Sequence, residues 1–385
     1  MPASTSPFPV FEYQNRVART VALLNHQGWD ALLCYASAVV PGNVRYLTGY
    51  ETRLRIHDAC YFLLTPGANP EVTLFTNASW EHPEEFSWVQ NVVVTSAFHT
   101  EIAARLPSGT RRLAVAGYRY LPLPVYLGIH DARPKVELMD GSSAYLRTRM
   151  VKSAAEIEVL RRCAQITDCA GQAFLELAQE GAVERNIAAA AEYAMKMAGS
   201  DEVSFTTQVG RGERTSRVVV YPGDDVVQPG DAVQLDCGAT CHGYRGDLSR
   251  VAVAGKPDPE YLRMLTATEE MYYRCLEAIR PKVQACEVAR IGIEAAKSHG
   301  LEEFLYRSPN HAPGFVGHGI GCHYSEPPEL HPEDDTILEE NMTIVVEPIL
   351  MRPGVGGVKI EDLVLVTRNG TERVSSCPIH TWNND

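Results

Sequence analysis

Over the first 145 residues short apolar runs alternate with amphipathic stretches. Residues 11–28 carry Val17, Val21, Leu23 and Leu24 at roughly helical spacing, and a strand-like run, residues 31–35, follows. Further strand candidates are residues 61–64, 72–75, 92–94 and 113–116, the first of these closed by Thr65-Pro66-Gly67. The alternation predicts an α/β layout about the size of one domain.

Near residue 150 the texture changes. Ser153 stands as an N-cap with Glu156 three positions on, the capping-box spacing. Beyond it Ile157, Leu160, Ala164, Ala170, Phe174 and Leu177 recur every three or four residues and mark one buried face. The pattern predicts further helices over 184–197, 260–279 and 288–300, with strands over 218–221, 232–235, 248–253, 342–347 and 358–366. Residues 1–148 therefore read as an α/β domain. Residues 149–385 read as an α+β domain, with helices packed over an antiparallel sheet.

Composition narrows the function classes. Lys and Arg total 35 against 48 Asp and Glu, a formal net charge of −13. Such a balance repels phosphate backbones and argues against nucleic acid as a partner. It suits a chain that gathers carboxylates around a cation. No run approaches the ~20 apolar residues of a membrane span, and the start MPASTSPFPVFEYQ lacks the basic and apolar regions of a secretory signal. Ten scattered cysteines without a CxxC pair suggest reduced thiols in a cytoplasmic protein rather than a disulfide framework.

Four pieces of the second segment carry the candidate chemistry. Asp236 ends a strand, and Asp247 follows eleven residues later, so a strand, a turn and a returning strand bring both to one spot. His318 stands in a Gly317-His318-Gly319 turn, where glycines allow close approach to the ring. Glu347 and Glu361 each interrupt an apolar strand, a costly position unless the carboxylate is paired or bound to metal. Taken singly each has an ordinary reading: a surface turn, an incidental histidine, an arginine partner. Together, four carboxylates would repel one another without cations. Two divalent ions remove the conflict, and oxygen-rich ligation with one imidazole suits Mn²⁺, Fe²⁺, Co²⁺ or Zn²⁺. A pair of ions ~3.5–4 Å apart can hold and acidify a water, which is the core of a hydrolytic site.

In order and flanks, the stretches LDCG, GYRGDLSR, GHGIG, VVEP and VKIED resemble the metal-ligand motifs of the M24 metallopeptidase or creatinase-like superfamily, the pita-bread fold. Residues 149–157 are similar to the family's entry to its catalytic domain. Residues 43–50 are similar to the N-terminal domain of its Xaa-Pro aminopeptidase, prolidase and creatinase branch. The resemblance implies a creatinase-like N-terminal domain and a pita-bread catalytic domain. It implies Asp236, Asp247, His318, Glu347 and Glu361 as ligands of two metal ions, with Glu347 also taking the proton from a water held between them.

The chain also departs from the family pattern. The peptidases usually carry two further histidines that steady the tetrahedral intermediate; one position is Ser325 here and the other is Val219. His323 is the candidate replacement as a catalytic group, and Tyr221 and Arg217 flank Val219 as candidates for a substrate carboxylate. In the creatinase-like branch one subunit's N-terminal domain covers its mate's site. A homodimer would let Arg53, Arg55 or His57 reach an anionic substrate group. The leading expectation is a two-metal hydrolase of a C–N amide-type bond in a small or dipeptide-sized polar substrate, like an Xaa-Pro aminopeptidase or dipeptidase. The alternatives are a non-peptide specialist similar to creatinase, ectoine hydrolase or a dimethylsulfoniopropionate lyase, and an inactive binding protein on the same fold.

Overall fold

A computed structural model describes residues 7–37, 40–50, 59–78, 82–307 and 313–380. The chain divides into two compact units, residues 1–149 and 150–385.

The first unit opens with the helix Val10–Gln27, which Gly28 terminates in the left-handed conformation at φ 64°. Its strands are β1 Ala31–Ser37, β2 Ala59–Thr65, β3 Glu71–Thr76, β4 Val92–Val94, β5 Arg112–Ala116 and β6 Glu137–Asp140. They form one mixed sheet in the order β4-β3-β2-β1-β5-β6. Central β1 pairs antiparallel with β2 and parallel with β5 and is buried almost throughout, which is why it reads as an unbroken apolar run. Residues 42–48 form a short helix, Gly42–Thr48, closed by Gly49 at φ 78°.

The second unit begins with the helix Ala154–Leu177. The expected capping box is formed: Glu156 N–H donates to Ser153 Oγ at 3.2 Å, and Ser153 N–H donates to Glu156 Oε2 at 2.9 Å. Helices Glu184–Ala198, Pro259–Ala278 and Ala285–Ser298 follow. The strands are β7 Gln208–Arg211, β8 Ala232–Cys237, β9 Thr240–Cys241, β10 Tyr244–Arg245, β11 Leu248–Val253, β12 Gly317–Gly319, β13 Glu326–Glu329, β14 Thr343–Val346, β15 Ile349–Arg352, β16 Gly356–Lys359, β17 Asp362–Thr367 and β18 Gly370–Arg373.

Two antiparallel sheets carry this unit, β11-β8-β7 and β13-β12-β14-β17-β18, with the β15–β16 ribbon beside them. Each sheet buries one face under a helix pair. Cys163, Ile166, Phe174, Ile187 and Ala191 pack on Val209, Val233, Leu235 and Leu248. Met264, Leu265, Met271, Val288 and Ala289 pack on Ile344, Val346, Val364 and Val366. Strand alternation then sends the intervening residues, Asp236 among them, away from the helices.

Two expectations need correction. Residues 218–221 form no strand; they are irregular backbone tied down by side chains. Residues 358–366 are not one strand either: β16 and β17 are separate, and Glu361 bridges to Ser249 in the gap between them.

Candidate metal centre

All five carboxylate and imidazole groups expected from the sequence lie in the second unit and line one cavity of about 550 Å³. Asp236 is the penultimate residue of β8, and Asp247 immediately precedes β11. The register Leu248↔Cys237 and Ser249↔Asp236, closed by the β9–β10 hairpin, returns the second carboxylate to the first. His318 is the middle residue of β12, opposite Val345 of β14. The Gly-His-Gly stretch is thus a strand rather than a turn. Its glycines serve close approach: a Cβ at Gly317, whose φ is 151°, would meet the Val345 carbonyl oxygen at 2.0 Å. One at Gly319 would meet that of Pro327 at 2.3 Å. Glu347 follows β14, its N–H donating to Val316 O at 2.7 Å. Glu361 is held by reciprocal backbone hydrogen bonds to Ser249, both 3.3 Å.

Within this cluster, ligand atoms of Asp247, His318 and Glu361 lie within 4.8 Å of one another. His318 Nε2 is 3.7 Å from Asp247 Oδ2 and 3.9 Å from Glu347 Oε2. Its Nδ1 lies 2.9 Å from the Gly319 carbonyl, an acceptor only, so Nδ1 carries the proton and the Nε2 lone pair faces the carboxylates. The ring stacks on Phe315 with centroids 6.1 Å apart. Asp236 meets the group through Lys359, whose ammonium pairs with Asp236 Oδ2 and lies 3.4 Å from Glu347 Oε1. Gln208 Nε2 also donates to Asp236 Oδ2, at 3.0 Å.

Burial dominates the electrostatics, since none of the five groups is more than 8% exposed. Burial, and then repulsion from Glu361, Asp236 and Glu347, pushes the Asp247 carboxyl well above the usual carboxylate range. Burial and the charges of Glu347 and Asp236 raise Glu361 to about 8. Burial lifts Glu347 to about 7, against the pull of Lys359. Burial lowers His318 and so favours neutral imidazole. Lys359 is held well above its ordinary value because Asp236, Glu347 and Glu361 outweigh the cost of burying it. Without a cation, the cluster keeps protons that a bound metal ion would displace.

These features fit a divalent cation. Asp236 Oδ1 is buried with no hydrogen-bond partner among the described residues, an expensive state for a carboxylate oxygen unless a cation satisfies it. The donor set is oxygen-rich with one imidazole, and Ser249 Oγ donates to Glu361 Oε2 at 2.6 Å in the supporting layer.

The remaining sequence candidates divide. Tyr221, Val219 and Ser325 line the cavity. Val220 N–H donates to Gln208 Oε1 at 3.0 Å, and Arg214 Nη2 donates to Tyr221 O at 2.7 Å, which fixes this irregular segment at the rim. Arg217 is exposed and does not line the cavity, because its irregular segment directs Val218, Val219 and Tyr221 there instead. His323 does not line it either. Its N–H donates to Glu326 Oε1 at 2.9 Å and its carbonyl accepts from Gly321, so this residue belongs to the turn. Arg53, Arg55 and His57 lie outside the described residues.

Sequence reasoning passed over Lys359, Gln208 and an aromatic rim of Phe205, Tyr306 and Phe315. Lys359 had a usable signal: it precedes Glu361 by two positions in an apolar stretch, where a second buried charge calls for a partner. Gln208 and the rings come from distant segments with no motif of their own.

Comparison with known proteins gives two family matches. Residues 158–368 match the model of metallopeptidase family M24, and residues 16–151 match that of the creatinase/prolidase N-terminal domain. An Xaa-Pro dipeptidase of Pyrococcus furiosus is 34% identical over 227 residues, covering 59% of this chain and 63% of that protein. The match thus spans under two thirds of that relative's length. Among solved structures, the prolidase from Pyrococcus horikoshii superposes with a TM-score of 0.84 at 27% identity, covering 94% of this chain and 99% of that one. The prolidase from Pyrococcus furiosus superposes with a TM-score of 0.80 at 29% identity, over 93% and 99% of the two chains. Those structures share the two-domain architecture, a creatinase-type N-terminal domain followed by a pita-bread domain.

Proposed function

The chain belongs to metallopeptidase family M24, and we propose that it is a metal-dependent hydrolase of a C–N amide bond in dipeptide-sized substrates, acting as an Xaa-Pro dipeptidase or aminopeptidase. The observation that carries this reading is the convergence of Asp247, His318 and Glu361, with Asp236 and Glu347 beside them, in one cavity. In this reading Asp236, Asp247, His318, Glu347 and Glu361 hold two divalent ions drawn from Mn²⁺, Fe²⁺, Co²⁺ and Zn²⁺. When bound, such ions polarise a carbonyl and lower the pKa of an attacking water.

The chain's own groups have distinct tasks. Glu347, which lies 3.9 Å from His318 Nε2 and 3.4 Å from the Lys359 ammonium, would take the proton from the attacking water. Gly319 fixes the His318 tautomer and Ser249 orients Glu361. The ring pairs Phe205–Tyr324 and Tyr306–Phe315, with centroids 5.9 and 6.0 Å apart, give the cavity apolar walls for the part of the substrate that does not react. The reading includes a homodimer working in the cytoplasm. Among the described residues no helix is long and apolar enough to cross a membrane.

One observation favours a second reading. Val219 and Ser325 both line the cavity at the positions where the family resemblance calls for histidines, as a specialist for small amides or betaines would allow. Turnover of Xaa-Pro dipeptides with added Mn²⁺, set against a panel of small amides and betaines, tests the two. Dipeptide turnover lost on chelation and restored by Mn²⁺ supports the peptidase. Metal-dependent turnover confined to the panel supports the specialist. A protein that binds no divalent metal refutes both.

A further inference from the structure

His318 has neighbours in the cavity that the five-ligand set does not use. Glu329 of β13 stands directly opposite it across the β12–β13 pair. Opposed residues of an antiparallel pair share a face, with Cβ atoms about 5 Å apart, and both of these line the cavity. The Glu329 N–H donates to Asp334 Oδ2 at 2.8 Å, which holds the residue in place. Phe315 stacks on the His318 ring with centroids 6.1 Å apart, and Tyr306 meets Phe315 edge to face at 6.0 Å. A fifth carboxylate and two aromatic rings therefore adjoin the imidazole of the reacting centre.

The cavity wall offers little positive charge in return. His318 aside, Lys359 is the only basic side chain among the described residues lining the cavity, and its ammonium pairs with Asp236 and lies 3.4 Å from Glu347. Arg217 is exposed and lies outside the lining. A substrate carboxylate set against Glu329 would meet a like charge in a recess where water screens poorly. An organic cation would meet an opposite charge there. It would also meet ring faces, whose negative quadrupole attracts ammonium and quaternary ammonium groups.

We propose that Glu329, with Phe315 and Tyr306, forms a subsite for a cationic group at the non-reacting end of the substrate. The enzyme then selects small amides carrying an ammonium or quaternary ammonium there over those carrying a carboxylate. The proposal rests on the metallohydrolase reading above and names the substrate class of that site. Glu329 determines specificity: it binds the substrate and takes no part in breaking the bond.

The test reads binding and turnover separately. Calorimetry on the Mn²⁺-loaded full chain measures choline, its uncharged tert-butyl isostere and propionate. Choline is expected to bind at least tenfold more tightly than either. Glu329→Gln removes that preference, whereas Glu329→Asp, which retains the charge, keeps most of it. Glu329→Arg reverses it, so that propionate binds more tightly than choline, and this variant decides the matter if Glu329→Gln fails to fold. Tyr306→Leu weakens choline about threefold and leaves the isostere unchanged. In turnover, Glu329→Gln raises KM at least tenfold for a small amide ending in trimethylammonium, with kcat nearly unchanged. The matching tert-butyl amide keeps both constants, whereas a merely structural role would move both substrates alike. Equal binding of choline and its isostere by the wild type, or a choline preference untouched by Glu329→Gln, overturns the proposal and leaves the hydrolase reading intact. A wild type that binds no Mn²⁺, while Glu329 still governs choline binding, instead overturns that reading.

Discussion

Ser249 and Glu361 are joined at three points: two backbone hydrogen bonds of 3.3 Å and a side-chain hydrogen bond of 2.6 Å from Ser249 Oγ to Glu361 Oε2. The backbone pair fixes where Glu361 stands, and the hydroxyl fixes which way its carboxylate turns. Ser249→Ala removes only the second constraint. Outer partners of metal ligands typically contribute 10–100-fold in affinity. Mn²⁺ affinity is expected to fall about tenfold by calorimetry, while the metal-free melting temperature changes little.

His318 supplies the single imidazole of the centre, and the geometry leaves its Nε2 directed at Asp247 and Glu347. His318→Ala is expected to abolish the stabilisation that Mn²⁺ gives the wild type. Ligand at a hundred times its Kd stabilises by about 2.7 kcal/mol, so the wild-type melting temperature should rise clearly with Mn²⁺ and the variant's should not. Hydrolysis of the best substrate falls at least 10³-fold in parallel.

In the metal-free protein, stability should decline as pH rises from about 5 to about 8. Glu361 and Glu347 ionise at about 8 and about 7 in the folded chain, against 4.5 ordinarily. Between these limits the folded state holds more protons than the unfolded one, so the stabilisation is complete below pH 4.5 and lost as pH climbs through the folded values. Asp247, also raised, has the same sign. His318 is lowered and opposes them, one group against three, while Lys359 stays charged throughout. Calorimetric melting in the presence of a chelator checks the slope. Saturating Mn²⁺ should remove it, because the ion displaces the same protons. A melting temperature that rises with pH in the chelated protein contradicts the expectation.

Val219 and Ser325 share the cavity with the metal-ligand candidates, and Val219 is 53% exposed, so imidazoles there need not be buried. A positioned acid–base or electrostatic donor typically contributes 10²-fold or more. Val219→His with Ser325→His is expected to raise kcat on Xaa-Pro dipeptides about a hundredfold with little change in metal affinity. Turnover of small amides should gain less, which separates repair of peptide chemistry from a general effect on the centre.

What could be read from the chain follows from where side-chain chemistry is local. The helix Ala154–Leu177 announces itself by its cap and its period, and both are present as written. The ligand candidates stand out because a buried charge in an apolar strand, or a histidine between glycines, conflicts with its surroundings. The local shape around them was less legible. Gly317–Gly319 is a strand because β13 and β14 close on it from both sides, and that pairing is set by residues far along the chain. Residues 218–221 carry strand-forming side chains yet gain no ladder; Gln208 and Arg214 hold their backbone instead. Arg217 and His323 were candidates by proximity in sequence, but their irregular segments send neighbouring residues to the cavity. Lys359 was passed over because a lysine in a strand invites a surface reading, and only the fold puts Asp236 against it.

Directly after Glu361, Asp362 organises a buried network that stability measurements can reach. Arg250 Nη2 donates to Asp362 Oδ1 at 2.6 Å, Tyr272 donates to Oδ2 at 2.5 Å, and Arg373 Nε donates to Oδ2 at 2.9 Å. Arg250 and Asp362 are both fully buried. The same guanidinium donates to the carbonyls of Ser249 and Glu361, each at 2.8 Å, and so clamps the two segments that carry Asp247 and Glu361. Removing one partner of a buried ion pair leaves an uncompensated charge, at a cost of about 3–5 kcal/mol. Asp362→Ala is therefore expected to lower urea-unfolding stability by about that amount and to weaken Mn²⁺ binding as well, because the freed Arg250 no longer fixes the Glu361 backbone. Replacing both, with Arg250→Met and Asp362→Leu, removes the charges together and should cost less than the sum of the two single changes. If the double variant recovers stability but not Mn²⁺ affinity, the clamp on Glu361 is what the metal centre requires of this network. Recovery of both would make the network's contribution one of charge balance alone.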